Sequence, residues 1–186
     1  MQSPDIQLKA QLHDHRNGSR LVHDLPWVRP HSLLSSFIIG MFVQASQTDT
    51  TAVDISGTEQ LLRAGSHNFA CDAVAGEKDL GIVVGTGTTP PAMSDFSLQT
   101  PLTANLAYAA PSFAIEAPNA STYRLSISRG FTNNSGAQIT VQEVALYSEL
   151  TWSGGYETFC LDRTLYEVII AAGLTLTLTY RLTITL

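Results

Sequence analysis

Residues 174–186 read LTLTLTYRLTITL, and this stretch decides the fold. Leu174, Leu176, Leu178, Tyr180, Leu182, Ile184 and Leu186 alternate with Thr175, Thr177, Thr179, Arg181, Thr183 and Thr185. That is the two-residue period of a β-strand with one apolar face. At about 3.3 Å per residue the run reaches about 43 Å, more than twice a usual strand, so it crosses a whole sandwich or extends beyond it. The second face is almost all threonine and can lie against solvent or another chain at little desolvation cost. A run without proline and with one charge would template aggregation at an open edge. Native pairing must therefore cover it, within the fold or between subunits.

The preceding region supports the same class. Tyr123, Leu125 and Ile127 alternate with Arg124, Ser126 and Ser128, and residues 133–136 (NNSG) form a turn, so a strand and hairpin are expected. In the return strand the apolar phase shifts from Ile139 and Val141 to Val144 and Leu146, which predicts a β-bulge near Gln142 or Glu143. Glu143 is then expected to bond backbone groups that the bulge leaves unpaired. Leu80 to Val84 is a short apolar strand, followed by glycines and the Pro90–Pro91 pair, where regular pairing stops. Residues 44–77 read as loop, with a short helical turn at Thr58 to Ala64.

At the N-terminus, Leu8, Ala10 and Leu12 alternate with polar residues, and Asn17–Gly18 predicts a hairpin returning through Leu21 and Val22. Ser32 could cap a helix near 32–44, in which Leu33, Leu34, Phe37, Ile38, Met41 and Phe42 form one face. The expected organisation is an N-terminal hairpin or arm at 1–30 and one β-sandwich domain at 31–186. The fold class is mainly β, an antiparallel, jelly-roll-like sandwich with one N-terminal helix.

Composition agrees. The 186 residues suit one domain. Apolar residues make up 44% and charged residues 14%, which excludes polar disorder and coiled coil. Seventeen Ser and 20 Thr against ten Lys plus Arg favour strands over helices. Net charge is −6, and the basic residues are scattered singly, so neither nucleic acid nor a membrane is an expected partner. No apolar stretch approaches the roughly 20 residues of a membrane span. The N-terminus has no secretory pattern, and folding in a cytoplasm is expected. Cys71 and Cys160 match no metal or CxxC spacing and read as two buried free thiols, with a disulfide left open.

Chemistry-bearing constellations are weak. His13, Asp14 and His15 with a facing His23 or Asp24 could hold zinc or nickel, but a solvated hairpin tip is the plainer reading. The glycines of GIVVGTGTTPP lead into prolines rather than a helix, which argues against a phosphate loop and for a close backbone crossing. The carboxylates Asp95, Glu116, Glu143, Glu149, Glu157 and Asp162 cannot be paired by spacing. Asp162 and Arg163 should face opposite ways on a strand, each in an intersheet or intersubunit ion pair. No catalytic set, cofactor or metal is expected, and the protein is read as no enzyme. Trp27, Trp152 and Tyr156 are candidate interface or sugar-stacking residues, with TWSGGY (151–156) as the loop that best exposes an aromatic.

Three stretches, in order, carry a resemblance: GIVVGTGTTPPAMSDFSLQTPL (81–102), RGFTNNSGAQITVQEVALYSE (129–149) and LDRTLYEVIIAAGLTLTLTYRLTITL (161–186). Together they resemble a widespread family of tailed-bacteriophage virion proteins of about this length. The pattern is a "VVGTGTT" turn followed by Asp95, Phe96 and Leu98, then the "TNNSG" hairpin leading to Ile139–Tyr147, and finally an Arg with the terminal strand. Ala145 stands where the pattern usually has glycine. The resemblance implies a non-enzymatic structural component of a bacteriophage virion. The leading expectation is an oligomeric capsid decoration (cement) protein, a homotrimer, bound to the major capsid protein or to tail proteins on the virion exterior and made in the host bacterial cytoplasm. The alternatives are a tail, baseplate or fibre component, or a receptor- or carbohydrate-binding module.

Overall fold

The computed structural model describes residues 5–14, 19–28, 36, 39, 43, 49–63, 69–119 and 122–185. They form an antiparallel β-sandwich of eleven strands in two sheets.

The first sheet contains β1 (Asp5–Asp14), β2 (Arg20–Asp24), β6 (Leu106–Tyr108), β7 (Ser112–Asn119), β8 (Thr122–Asn133) and β11 (Leu174–Thr185). Its order is β2-β1-β11-β8, with β6 and β7 both on the far edge of β8. The threonine-rich terminal strand is thus central, paired from Leu174 to Thr183 with β1 on one side and from Thr175 to Thr185 with β8 on the other. Leu176, Leu178 and Tyr180 are buried, and the threonine face carries cross-strand hydroxyl pairs, Ser128 with Thr179 and Thr132 with Thr175, both at 2.8 Å. Covering both edges of β11 removes the aggregation hazard within the chain itself.

The second sheet contains β3 (Thr50–Val53), β4 (Glu59–Leu62), β5 (Gly81–Gly85), β9 (Ile139–Trp152) and β10 (Gly155–Ile170). Its order is β10-β9-β4-β3, with β5 alongside β9. The sheets bury Leu8, Ala10, Leu12, Ile82, Val84, Phe131, Val144, Leu176 and Leu178 in one core. A satellite cluster gathers Val43, Ala52, Leu62, Leu150 and Phe159.

Several expectations change. The expected N-terminal hairpin is present as β1 paired with β2, and β1 continues into the first sheet beside β11, with Leu8, Ala10 and Leu12 in the main core. Its turn lies outside the described residues. So does most of 32–44, where one helix was expected; only Ser36, Ile39 and Val43 are described there, and no continuous helix is seen among the described residues. The helical turn at 58–64 is instead β4, folded back on β3. Asp54 decides this, because its carboxylate accepts from the Ser56 and Thr58 amides and the Gln60 amide side chain, closing a turn with Gly57 at φ +81°. β6 and β7 arise in a region that showed no strand pattern.

The expected β-bulge is present in the β9–β10 ladder opposite Gln142, but its extra residue lies on β10 and not on β9. β9 pairs with β5 in unbroken register from Glu143 to Tyr147, and the extra residues lie on β10, between Cys160 and Asp162 and between Leu165 and Val168. The apolar phase shift has another cause: β9 is buried on both faces from Glu143 to Ala145, and one buried position holds a carboxylate.

Candidate functional site

Among the described residues, a cluster of buried charges gathers where the stretches 81–102, 129–149 and 161–186 converge. Glu143 on β9 is fully buried, and so is Arg163 on β10. Arg163 Nε donates to Glu143 Oε2 at 2.8 Å, Nη1 to Asp95 Oδ2 at 2.7 Å and Nη2 to the Thr89 carbonyl at 3.0 Å. Glu143 also accepts three backbone amides: Gly87 at 3.0 Å and Thr100 at 2.8 Å on Oε1, and Gln99 at 3.1 Å on Oε2. One carboxylate therefore ties both ends of the 86–100 segment to the sheet. Burial alone would lower the Arg163 pKa, but the bonds to Glu143 and Asp95 outweigh it and hold the guanidinium charged.

The glycines serve this approach. A Cβ at Gly85 would lie 2.5 Å from Glu143 Oε1 and 2.6 Å from the Thr100 carbonyl; at Gly87 it would lie 2.6 Å from both Glu143 Oε1 and Gln99 Cβ. The expected close crossing is present, and it crosses a carboxylate rather than a phosphate. Tyr147 extends the anchorage, its hydroxyl oxygen accepting the Leu98 amide at 2.6 Å. In the TNNSG turn, Asn133 donates to the Ala137 and Ile170 carbonyls and accepts from Ser135.

Both oxygens of Glu143 are engaged, and Asp95 Oδ2 also accepts the Ala92 amide at 2.9 Å. Glu143 accepts four hydrogen bonds and Asp95 Oδ2 two, so the cluster acts as a clamp on the 86–100 segment. A cavity of 260 Å³ beside it, lined by Ser36, Ile39, Ala52, Glu59, Asp95 and Phe96 among others, is below the usual size of a ligand pocket.

Two further polar ties join the sheets. Arg129 on β8 is buried, donating to the carbonyls of Glu77, Leu80, Ile82 and Ala109 and lying 5.0 Å from the Tyr108 ring. Tyr180 on β11 bonds Asp162 Oδ2 on β10 at 2.7 Å. Asp162 thus meets a hydroxyl where an ion pair was expected, while Arg163 pairs within its own chain. Sequence reasoning missed both partnerships, because packing between strands chooses them and no residue spacing marks them.

The three aromatic candidates do not form one platform. Trp27 lies in the segment after β2, against the first sheet, with the Arg181 guanidinium 4.1 Å and the Lys9 ammonium 5.6 Å from its ring centre. Trp152 and Tyr156 flank the two-residue turn of the β9–β10 hairpin at alternating positions. The Trp152 ring lies over Gly154, where a Cβ would come within 2.5 Å, while Tyr156 is exposed. Cys71 and Cys160 are free and buried, and burial pushes the Cys71 thiol up to about 11.

His13 pairs with Leu21 and His23 with Leu12, so the two histidines occupy neighbouring rows of the hairpin rather than facing each other; His15 lies outside the described residues. Among the described residues no three His, Cys, Asp or Glu side chains converge as a metal site, and no helix is long and apolar enough to cross a membrane.

A scan against protein-family models matches no family, and searches of curated proteins and of solved structures return no match.

Proposed function

We propose that this chain is a non-enzymatic structural component of a tailed-bacteriophage virion, acting as an oligomeric, trimeric capsid decoration protein. The observation that carries the reading is an apolar sheet face running past the core. In register, Leu8 and Tyr180 pair within a buried row, whereas in the adjacent row Leu125, paired with Leu182, is 39% exposed. Phe113 on edge strand β7, opposite Ile127, is 49% exposed. A patch of this kind on a chain with little surface charge suits burial against another subunit.

The motif residues support the same reading from the other side. Gly85, Gly87, Asp95, Glu143 and Arg163 are spent on holding one long segment rigidly against the second sheet. A rigid shell component needs such a clamp, and a symmetric oligomer multiplies modest lattice contacts. Heat and pressure challenge of capsids with and without the chain tests the role: complete capsids should survive conditions that open bare ones, and equal survival would overturn it. The exposed Tyr156 favours one second reading, a glycan-binding hairpin, for which tryptophan fluorescence would change saturably with host surface polysaccharide.

A further inference from the structure

Asp162 sits between the sheets with 1% exposure, bonded only through Oδ2 to the Tyr180 hydroxyl; among the described residues its Oδ1 has no hydrogen-bond partner. The cation next to it in sequence is committed elsewhere, since Arg163 spends Nε, Nη1 and Nη2 on Glu143, Asp95 and the Thr89 carbonyl. The titratable groups around Asp162 are Tyr180 on β11 and Cys160 on β10; Glu143 on β9 and Asp95 of the loop act on that cysteine and are held by Arg163. The Cys160 thiol points to the Asp162 backbone carbonyl, 3.3 Å away, leaving Tyr180 as the one donor to the carboxyl among the described residues. An ionised carboxylate buried with a single neutral donor is poorly solvated, whereas a neutral acid keeps the same bond to Tyr180 with either oxygen as donor.

The geometry points to Asp162 as a proton-operated latch between the two sheets, closed when its carboxyl is neutral and loosened when it ionises. Burial pushes its pKa up to about 7, against the opposing effect of the Tyr180 bond. The folded value lies above the unfolded one, 3.8. The stabilisation is therefore complete below the unfolded value, declines as pH rises towards 7 and levels off above it. Tyr180, itself buried, is held far above its ordinary pKa and stays protonated throughout.

The test is denaturant unfolding of the full chain against D162N from about pH 4 to about pH 8. The folding constant of the wild type relative to D162N should fall by up to about tenfold per pH unit across that window and then flatten. A ratio independent of pH overturns the latch. Should D162N not fold, carboxyl 13C NMR of the aspartate-labelled wild type decides. One resonance titrating near neutrality, and moving higher in Y180F, is expected. Every aspartate titrating below about pH 5 contradicts the proposal.

Discussion

Arg163 Nε lies 2.8 Å from Glu143 Oε2, and both side chains are out of solvent, so the charged pair at the heart of the second sheet is wholly internal to the chain. Removing either partner leaves the other charge buried without its main counterion. E143Q should cost about 3–5 kcal/mol, and R163M a similar amount. The double variant should cost clearly less than the sum of the singles, as measured by urea unfolding of all four proteins.

The clamp also fixes which glycines tolerate a methyl group. Gly87→Ala would drive a Cβ against Gln99 Cβ and Glu143 Oε1, both at 2.6 Å, whereas at Gly130 in β8 the nearest atoms are 3.6 Å away. G87A should lower stability by about 2 kcal/mol through displacement of the loop, while G130A should stay within about 1 kcal/mol of wild type. Thermal unfolding of the two variants side by side checks the contrast.

Asp54 gives the acid limb of the pH profile. Burial raises its pKa, but bonds from Ser56, Gln60 and Thr58 lower it further, leaving a net value below 3.8. Its contribution is present above the unfolded value and lost as pH falls through the folded one. D54A should cost about 2 kcal/mol at neutral pH by releasing the β3–β4 turn, and the gap to wild type should narrow in acid, as followed by circular dichroism.

The strands with one apolar face were legible because burial imposed a period of two on them: β1, β8, β11 and the start of β9 follow directly from alternating residues. β4 was misread because EQLL carries no periodicity and is held by the Asp54 turn and by pairing with β3. The phase shift in β9 was seen, but its cause was not: a glutamate at a buried position looks like a register slip until its partner Arg163, 20 residues away, is placed beside it. Tyr180 with Asp162, and Arg129 with its four carbonyls, left no mark in local sequence, since tertiary pairing alone chooses those partners. The aromatic candidates were readable as exposed or half-exposed residues but not in their arrangement, which the two sheets separate.

The central claim is that the exposed end of the first sheet is an assembly surface, and the solution mass of the purified chain tests it most directly. Light scattering during size-exclusion chromatography should give three times 20.1 kDa for the wild type. L125D, altered at an exposed position, should give 20.1 kDa with an unchanged circular dichroism spectrum. A wild-type chain that elutes as a stable 20.1 kDa monomer at every concentration would contradict the account.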